Sequence, residues 1–127
     1  AITEEEKADE DSKIGDAFTI AEFVMGVNET TEADLPETVL AWDLVRAVNM
    51  ARWAFICGYI NEDEIWEAIR TTAGIAKESF NSWEEYGNSF AVGRGIWRGE
   101  TDDYETADEV VGALLNKEDS PWKAIEW

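Results

Sequence analysis

Residues 40–59 read LAWDLVRAVNMARWAFICGY, from Leu40 to Tyr59, and this stretch decides the fold. It is apolar nearly all the way round, the pattern of a helix with neighbours on several sides. It nevertheless carries Asp43, Arg46, Asn49 and Arg52. At about 100° per residue, Leu40, Leu44, Val45, Val48, Ala51, Phe55 and Ile56 share one broad apolar face, with Arg52 in its middle. Trp42, Arg46, Asn49 and Trp53 gather on the other side, with Asp43 and Met50 beside them. Arg46 is therefore expected between two indoles, a setting for cation–π contact. Asp43, three residues earlier, can pair with it.

Signals for further helices lie on both sides. Thr3 with Glu6 opens an acidic first helix, and residues 1–12 read as a flexible acidic segment. Ile14 to Val24 follows, with Gly26 as its stop. Asp34, Pro36 and Glu37 are expected to open the central helix, about 36–58, and Gly58 to cap it. Asn61 with Glu64 makes a capping box for an amphipathic helix over about 62–80. Ser82 with Glu85 opens another, to about Trp97, and Thr106 with Glu109 a fifth, ending near Asn116. Gly99 to Tyr104 reads as an acidic loop. The closing SPWKAIEW, residues 120–127, holds two Trp and is expected to dock on the body. No alternating strand pattern appears. The expectation is one all-α domain over 1–127, an irregular bundle of about five helices around a central buried helix.

The fourth of these helices repeats the central pattern. Trp83, Tyr86, Phe90, Gly93 and Trp97 line one face, and Arg94 emerges from it. Gly87, Gly93 and Gly95 weaken a lone helix by about 1 kcal/mol each, so another backbone, or a ligand, should approach closely there. Arginine cannot discharge itself when buried. Arg52 and Arg94 are therefore expected to be buried against carboxylates, Asp43 and Glu64 first, then Glu67 and Glu85. The candidate polar cluster is Asp43, Arg46, Arg52, Trp53, Glu64, Arg94 and Trp97. It serves either as buried ion pairs tying helices together or as a site for an anionic ligand, with catalysis as a third reading.

Composition narrows the chemistry. The chain has 127 residues, a net charge of −19 and no histidine. Residues 1–37 and 99–127 hold twenty-one of the twenty-nine acids, so two acidic arms flank a nearly neutral middle. That charge argues against nucleic acid and anionic membranes and permits a basic protein partner or bound cations, beside the plainer role of keeping the protein soluble. Without histidine, Ser-His-Asp and Cys-His catalysis and His-ligated zinc are excluded. A carboxylate pair could still act as in glycosidases, and Asp102, Asp103 and Glu105 could hold a cation weakly, yet no EF-hand or phosphate-loop spacing is present. No cofactor, metal or catalytic residue is assigned. The single Cys57 cannot form an internal disulfide and is expected to be a small buried hydrophobe. No signal peptide or membrane span is visible, and a cytoplasmic protein is the expectation. It starts at Ala1 and could be a piece of something longer.

AWDLVRAVNMARWAFICGYINEDEIW, SWEEYGNSFAVGRGIW and SPWKAIEW together resemble a bacterial family catalogued as domain of unknown function 1266, which includes YbeU-like proteins. The matching positions are Trp42, Asp43 and Arg46; Arg52 and Trp53; Gly58 to Ile60; Glu64 and Trp66; Ser82 to Glu85; Gly93, Arg94 and Trp97; and Ser120 to Trp122. They cover about residues 40–127. The terminal Pro-Trp of the family is Glu126-Trp127 here. The resemblance implies that the Asp/Arg/Trp set belongs together, and it brings no activity. Two functions follow as expectations. One is a non-catalytic acidic domain that binds another protein, inhibitor-like towards a basic toxin or nuclease. The other is a ligand-binding or enzymatic domain with an Arg/Trp/carboxylate pocket for a small anion.

Overall fold

A computed structural model of the chain describes residues 2–8 and 13–127, and every regular element among them is helical. The helices are α1 (Glu4–Ala8), α2 (Lys13–Asn28), α3 (Leu40–Ile56), α4 (Glu62–Ser79), α5 (Trp83–Arg98), α6 (Thr101–Asn116) and α7 (Pro121–Ala124), with a 3-10 turn at Glu32–Asp34. The all-α expectation holds. The flexible segment expected over 1–12 falls partly outside the described residues, at 1 and 9–12. Within it, Thr3 and Glu6 cap α1 as read: Thr3 N–H donates to Glu6 Oε2 at 2.8 Å and Glu6 N–H to Thr3 Oγ1 at 3.2 Å.

The helix at the centre is α5, not α3. Six of its residues are buried, against only Ala41 and Leu44 in α3. Three α5 glycines let neighbours in. A β-carbon at Gly87 would stand 2.5 Å from Val111, one at Gly93 2.5 Å from Trp42 Cβ, and one at Gly95 2.9 Å from Tyr104. The close approach expected at these glycines is made by side chains of α3, α6 and α2 rather than by a second backbone. One core joins Ile20 and Val24 of α2, Ala91 and Val92 of α5, and Tyr104, Ala107 and Val111 of α6. Burying a side chain such as Ile20 contributes about 2–3 kcal/mol. A second core joins Ala41 and Leu44 to Ala76 and Phe80 of α4.

Helix ends explain where the sequence expectations shifted. α2 runs past Gly26 and closes at Glu29, whose φ is +53, with Thr30 N–H returning to Met25 O at 3.0 Å. Asp34 does not open α3, because its carboxylate is taken by the Thr31 N–H and hydroxyl, both at 2.9 Å. Pro36 then holds Leu35 extended, and α3 starts only at Leu40. The cap of α3 comes from across the fold: the wholly buried Ser89 hydroxyl accepts from Ala41 N–H at 3.2 Å and donates to Thr38 O at 2.7 Å.

At the far end, Gly58 takes φ +81, Tyr59 N–H reaches Ala54 O and Gly58 N–H reaches Phe55 O, a full Schellman motif. Asn61 and Glu64 form the expected capping box. α4 then folds back along α3 as an antiparallel hairpin. α6 starts five residues earlier than read, at Thr101, and the Gly99–Tyr104 loop shrinks to two residues. Thr106 is interior to that helix and its hydroxyl donates back to Asp102 O at 2.9 Å.

The C-terminal segment docks as expected, with one helical turn opened by Ser120 and Pro121. Trp122 stacks on Trp83 at 4.9 Å, and Trp127 meets Trp83 edge-on at the same distance. Trp83 Nε1–H donates to Ile125 O at 2.7 Å and Trp127 Nε1–H to Phe80 O at 2.9 Å.

Candidate functional site

Because Gly93 lacks a side chain, Trp42 sits against α5, and the arginines gather round its indole. The Arg94 guanidinium lies 5.3 Å from the Trp42 ring centroid and that of Arg46 5.6 Å. Arg46 also lies 4.4 Å over Trp97. Arg46 is therefore between two indoles, but they are Trp42 and Trp97, not Trp42 and Trp53. Phe90 packs on Trp42 at 5.4 Å.

One carboxylate completes the cluster from α6, in a stretch whose sequence reads as a loop. Asp103, in the first turn of α6, binds Arg94 Nη2 at 3.1 Å and Arg98 Nε at 3.5 Å. Arg94 is thus half-buried and paired, though with Asp103 rather than Asp43 or Glu64. Asp43 reaches Arg46 only at 4.0 Å and is largely exposed. A signal for Asp103 did exist: Arg94 and Arg98 are one turn apart at the end of α5, where acids opening the next helix must pass.

The remaining candidates lie elsewhere. Arg52 is exposed, with no ion pair among the described residues, contrary to the burial expected for it. Trp53 is 63% exposed. Glu64 is spent on the Asn61 N–H at 3.1 Å. Cys57 is exposed too, because it ends α3 at the hairpin tip rather than lying inside the fold. The structure therefore brings together Arg46, Arg94 and Trp97, with Asp43 at the edge, and separates Arg52, Trp53 and Glu64 from them.

A cleft of about 440 Å³ opens between Trp42 and Phe90 on one side and α6 on the other. Arg94 and Asp103 form one wall, and Asp102, Thr106 and Val110 the rim. The Trp42 Nε1–H is buried and has no hydrogen-bond partner among the described residues. Among the described residues, no group of three or more Cys, Asp or Glu side chains is placed to hold a metal, and no helix is long and apolar enough to cross a membrane. The titration shifts lie outside this cluster. Burial raises Tyr86, Tyr104 and Asp108, and the Glu109 charge adds to the rise at Asp108.

Fold and site define a class: an all-α protein built on a glycine-lined central helix, with an arginine–tryptophan cluster closed by one shared aspartate. The chain belongs to the family described as Protein of unknown function (DUF1266), whose model matches residues 1–127. The match takes in the acidic N-terminal region as well as the motifs from residue 40 onward. No curated protein and no solved structure matches the chain.

Proposed function

We propose that this chain is a non-catalytic, cytoplasmic, protein-binding module whose partner is a basic protein, in the manner of an inhibitor. The observation that carries this reading is the bare far half of α3. Met50, Trp53 and Ile56 recur every third residue, and Tyr59 follows in the turn; Ile56 is 76% exposed and Tyr59 84%. At about 1.5 Å per residue, Ile56 stands about 18 Å beyond Leu44, the last buried residue of α3. A large aromatic and aliphatic patch left in water is the mark of a surface that meets another protein. Glu62, Asp63 and Glu67 are exposed in the first two turns of α4, which follows the patch in the chain, and the acidic arms add a long-range field. Both favour a partner of opposite charge and hasten its approach.

The reading as a small-anion pocket or enzyme has less behind it. Asp103 already meets Arg94 and Arg98, and Asp102 adds a further negative charge at the cleft.

The test uses the full chain as bait at low salt, beside a Trp53→Asp/Ile56→Asp variant checked for an unchanged melting temperature. Capture of a basic protein that is lost both in the variant and on raising salt is the expected result. Capture indifferent to the variant, or retention of a small anion with no protein, would overturn the reading.

A further inference from the structure

Apart from the Trp42 cleft, a groove of about 300 Å³ runs between the α3–α4 hairpin and the docked C-terminal segment. Val48 of α3, Ile69, Ala73 and Ala76 of α4, and Trp83 and Trp127 supply most of its walls. Its polar members are few. The Thr72 hydroxyl is spent on Ala68 O at 2.8 Å. Lys77 lies 5.3 Å from the Trp127 ring centroid, and Glu126 in the same lining offsets its charge. The interior is therefore apolar and close to neutral. Its volume is at the small end of the about 300–1,000 Å³ of ligand pockets, which suits one alkyl chain better than a nucleotide or a ring system.

The end of the groove nearer the hairpin tip differs. Val48 and Arg52 are one turn apart on α3, and Arg70, Ala73 and Lys77 follow one face of α4. Val48, Ala73 and Lys77 line the groove, so both arginines stand on its side of the hairpin. Counted back from the turn at Gly58, Arg70 is about level with Val48, and Arg52 is about 6 Å further out. Both are exposed, and neither has a hydrogen bond or ion pair among the described residues. Glu67, three residues before Arg70, forms no pair with it. The other three arginines of the chain are engaged: Arg94 and Arg98 share Asp103, and Arg46 meets Asp43 and Trp97. The two left unspent are thus both at the mouth of one apolar groove. An apolar body with an anionic end matches that arrangement, since the walls take the body and the guanidiniums take the charge.

We propose that the groove binds a medium-chain fatty acid, with its alkyl chain along Val48, Ile69 and Ala76 and its carboxylate between Arg52 and Arg70. Met50 and Trp53 lie on the opposite side of α3. The site is therefore separate from them and goes beyond the protein-binding reading without depending on it.

The test adds octanoate to the 15N-labelled full chain at about 0.15 M salt, where charges beyond about 8 Å, such as those of the acidic arms, are screened. Octan-1-ol keeps the alkyl chain and loses the charge, and octylamine reverses it. The amide resonances of Val48, Ile69 and Ala73 are expected to shift saturably with octanoate. Octanoate should bind about fivefold more tightly than octan-1-ol, the scale of two solvent-facing ion pairs. It should also bind more tightly than octylamine, although the net charge of the chain alone would favour the amine. Arg52→Gln/Arg70→Gln should bring acid and alcohol level, with an unchanged melting temperature, because neither arginine has a pair to lose. Ala73→Glu, at an exposed position of the lining, should abolish the shifts with all three probes while leaving the chain folded. Amides that ignore octanoate, an alcohol or amine that binds as tightly, or an acid preference that survives the double substitution overturns the proposal. Binding untouched by Ala73→Glu overturns it too. So do amides that shift with protein concentration alone, which would mean that a second copy fills the groove.

Discussion

Gly93 and Trp42 touch so closely that a β-carbon on the one would stand 2.5 Å from the β-carbon of the other. Both atoms are tied to backbone, so neither can swing away. Gly93→Ala should therefore lower stability, although alanine is the better helix former by about 1 kcal/mol. Overpacking costs about 1–3 kcal/mol, and a contact this short between two backbone-tied atoms belongs at the upper end, for a net loss of up to about 2 kcal/mol in denaturant unfolding. Gly74, on the exposed side of α4, has nothing within 4 Å of its added β-carbon. Gly74→Ala should stabilise by up to about 1 kcal/mol. The same substitution thus takes opposite signs on two helices, and equal signs would contradict the packing described.

Asp103→Asn should cost about 1 kcal/mol, because it removes one carboxylate from two half-exposed arginines. A loss of about 3–5 kcal/mol, expected of Arg94 as a fully buried pair, does not suit a guanidinium this accessible. The difference between wild type and variant should shrink at high salt. Arg52→Ala, with no pair to break, should stay within about 0.5 kcal/mol of wild type. Urea midpoints at two ionic strengths decide all three statements.

Removing residues 120–127 strips two Trp from Trp83 and leaves the Trp83 indole and the Phe80 carbonyl without their partners. The truncated chain should melt lower and bind a hydrophobic dye. Trp122→Ala alone should cost about 3 kcal/mol, the low end for truncating a tryptophan. A shortened chain that melts like the intact one would show that the docked turn adds nothing.

Asp108 should set part of the pH dependence. Burial, with the neighbouring Glu109 charge, raises its pKa in the folded chain above the ordinary 3.8. The folded state then holds the proton more tightly than the unfolded state. Stability falls as pH rises from 3.8 through that raised value. Asp108→Asn should therefore stabilise the protein at neutral pH, and the advantage should vanish below pH 3.8. An advantage that persists unchanged in acid would show that the effect is not ionisation.

Sequence signals that act within one turn were readable. Asn61 with Glu64, and Gly58 after α3, needed no knowledge of the rest of the chain. Thr106 with Glu109 shows the limit of that method, since the same pattern occurs inside a helix whose true start is fixed by contacts with α5. Arg52 shows another limit. A helical wheel places it correctly on an apolar face but cannot say that this face has run past the body of the fold. Spacing among the acids gives no hint that Asp103 is the one that turns inward; the pointer to it lies on the neighbouring helix, in Arg94 and Arg98 one turn apart. The Arg46–Trp97 contact was half legible: one indole came from α3 itself, the other only from the way α3 lies on α5.

The α3–α4 hairpin has a consequence for how such a chain can change over generations. Its outer end shares few contacts with the two cores, so replacing Met50, Trp53, Ile56 or Tyr59 perturbs little that holds the chain folded. Mutations there are nearly free of a folding penalty, whereas those at Gly87, Gly93 or Ser89 are not. Descendants of one ancestral chain can therefore diverge in what their hairpin tips recognise while the glycine-lined helix beneath stays as it is.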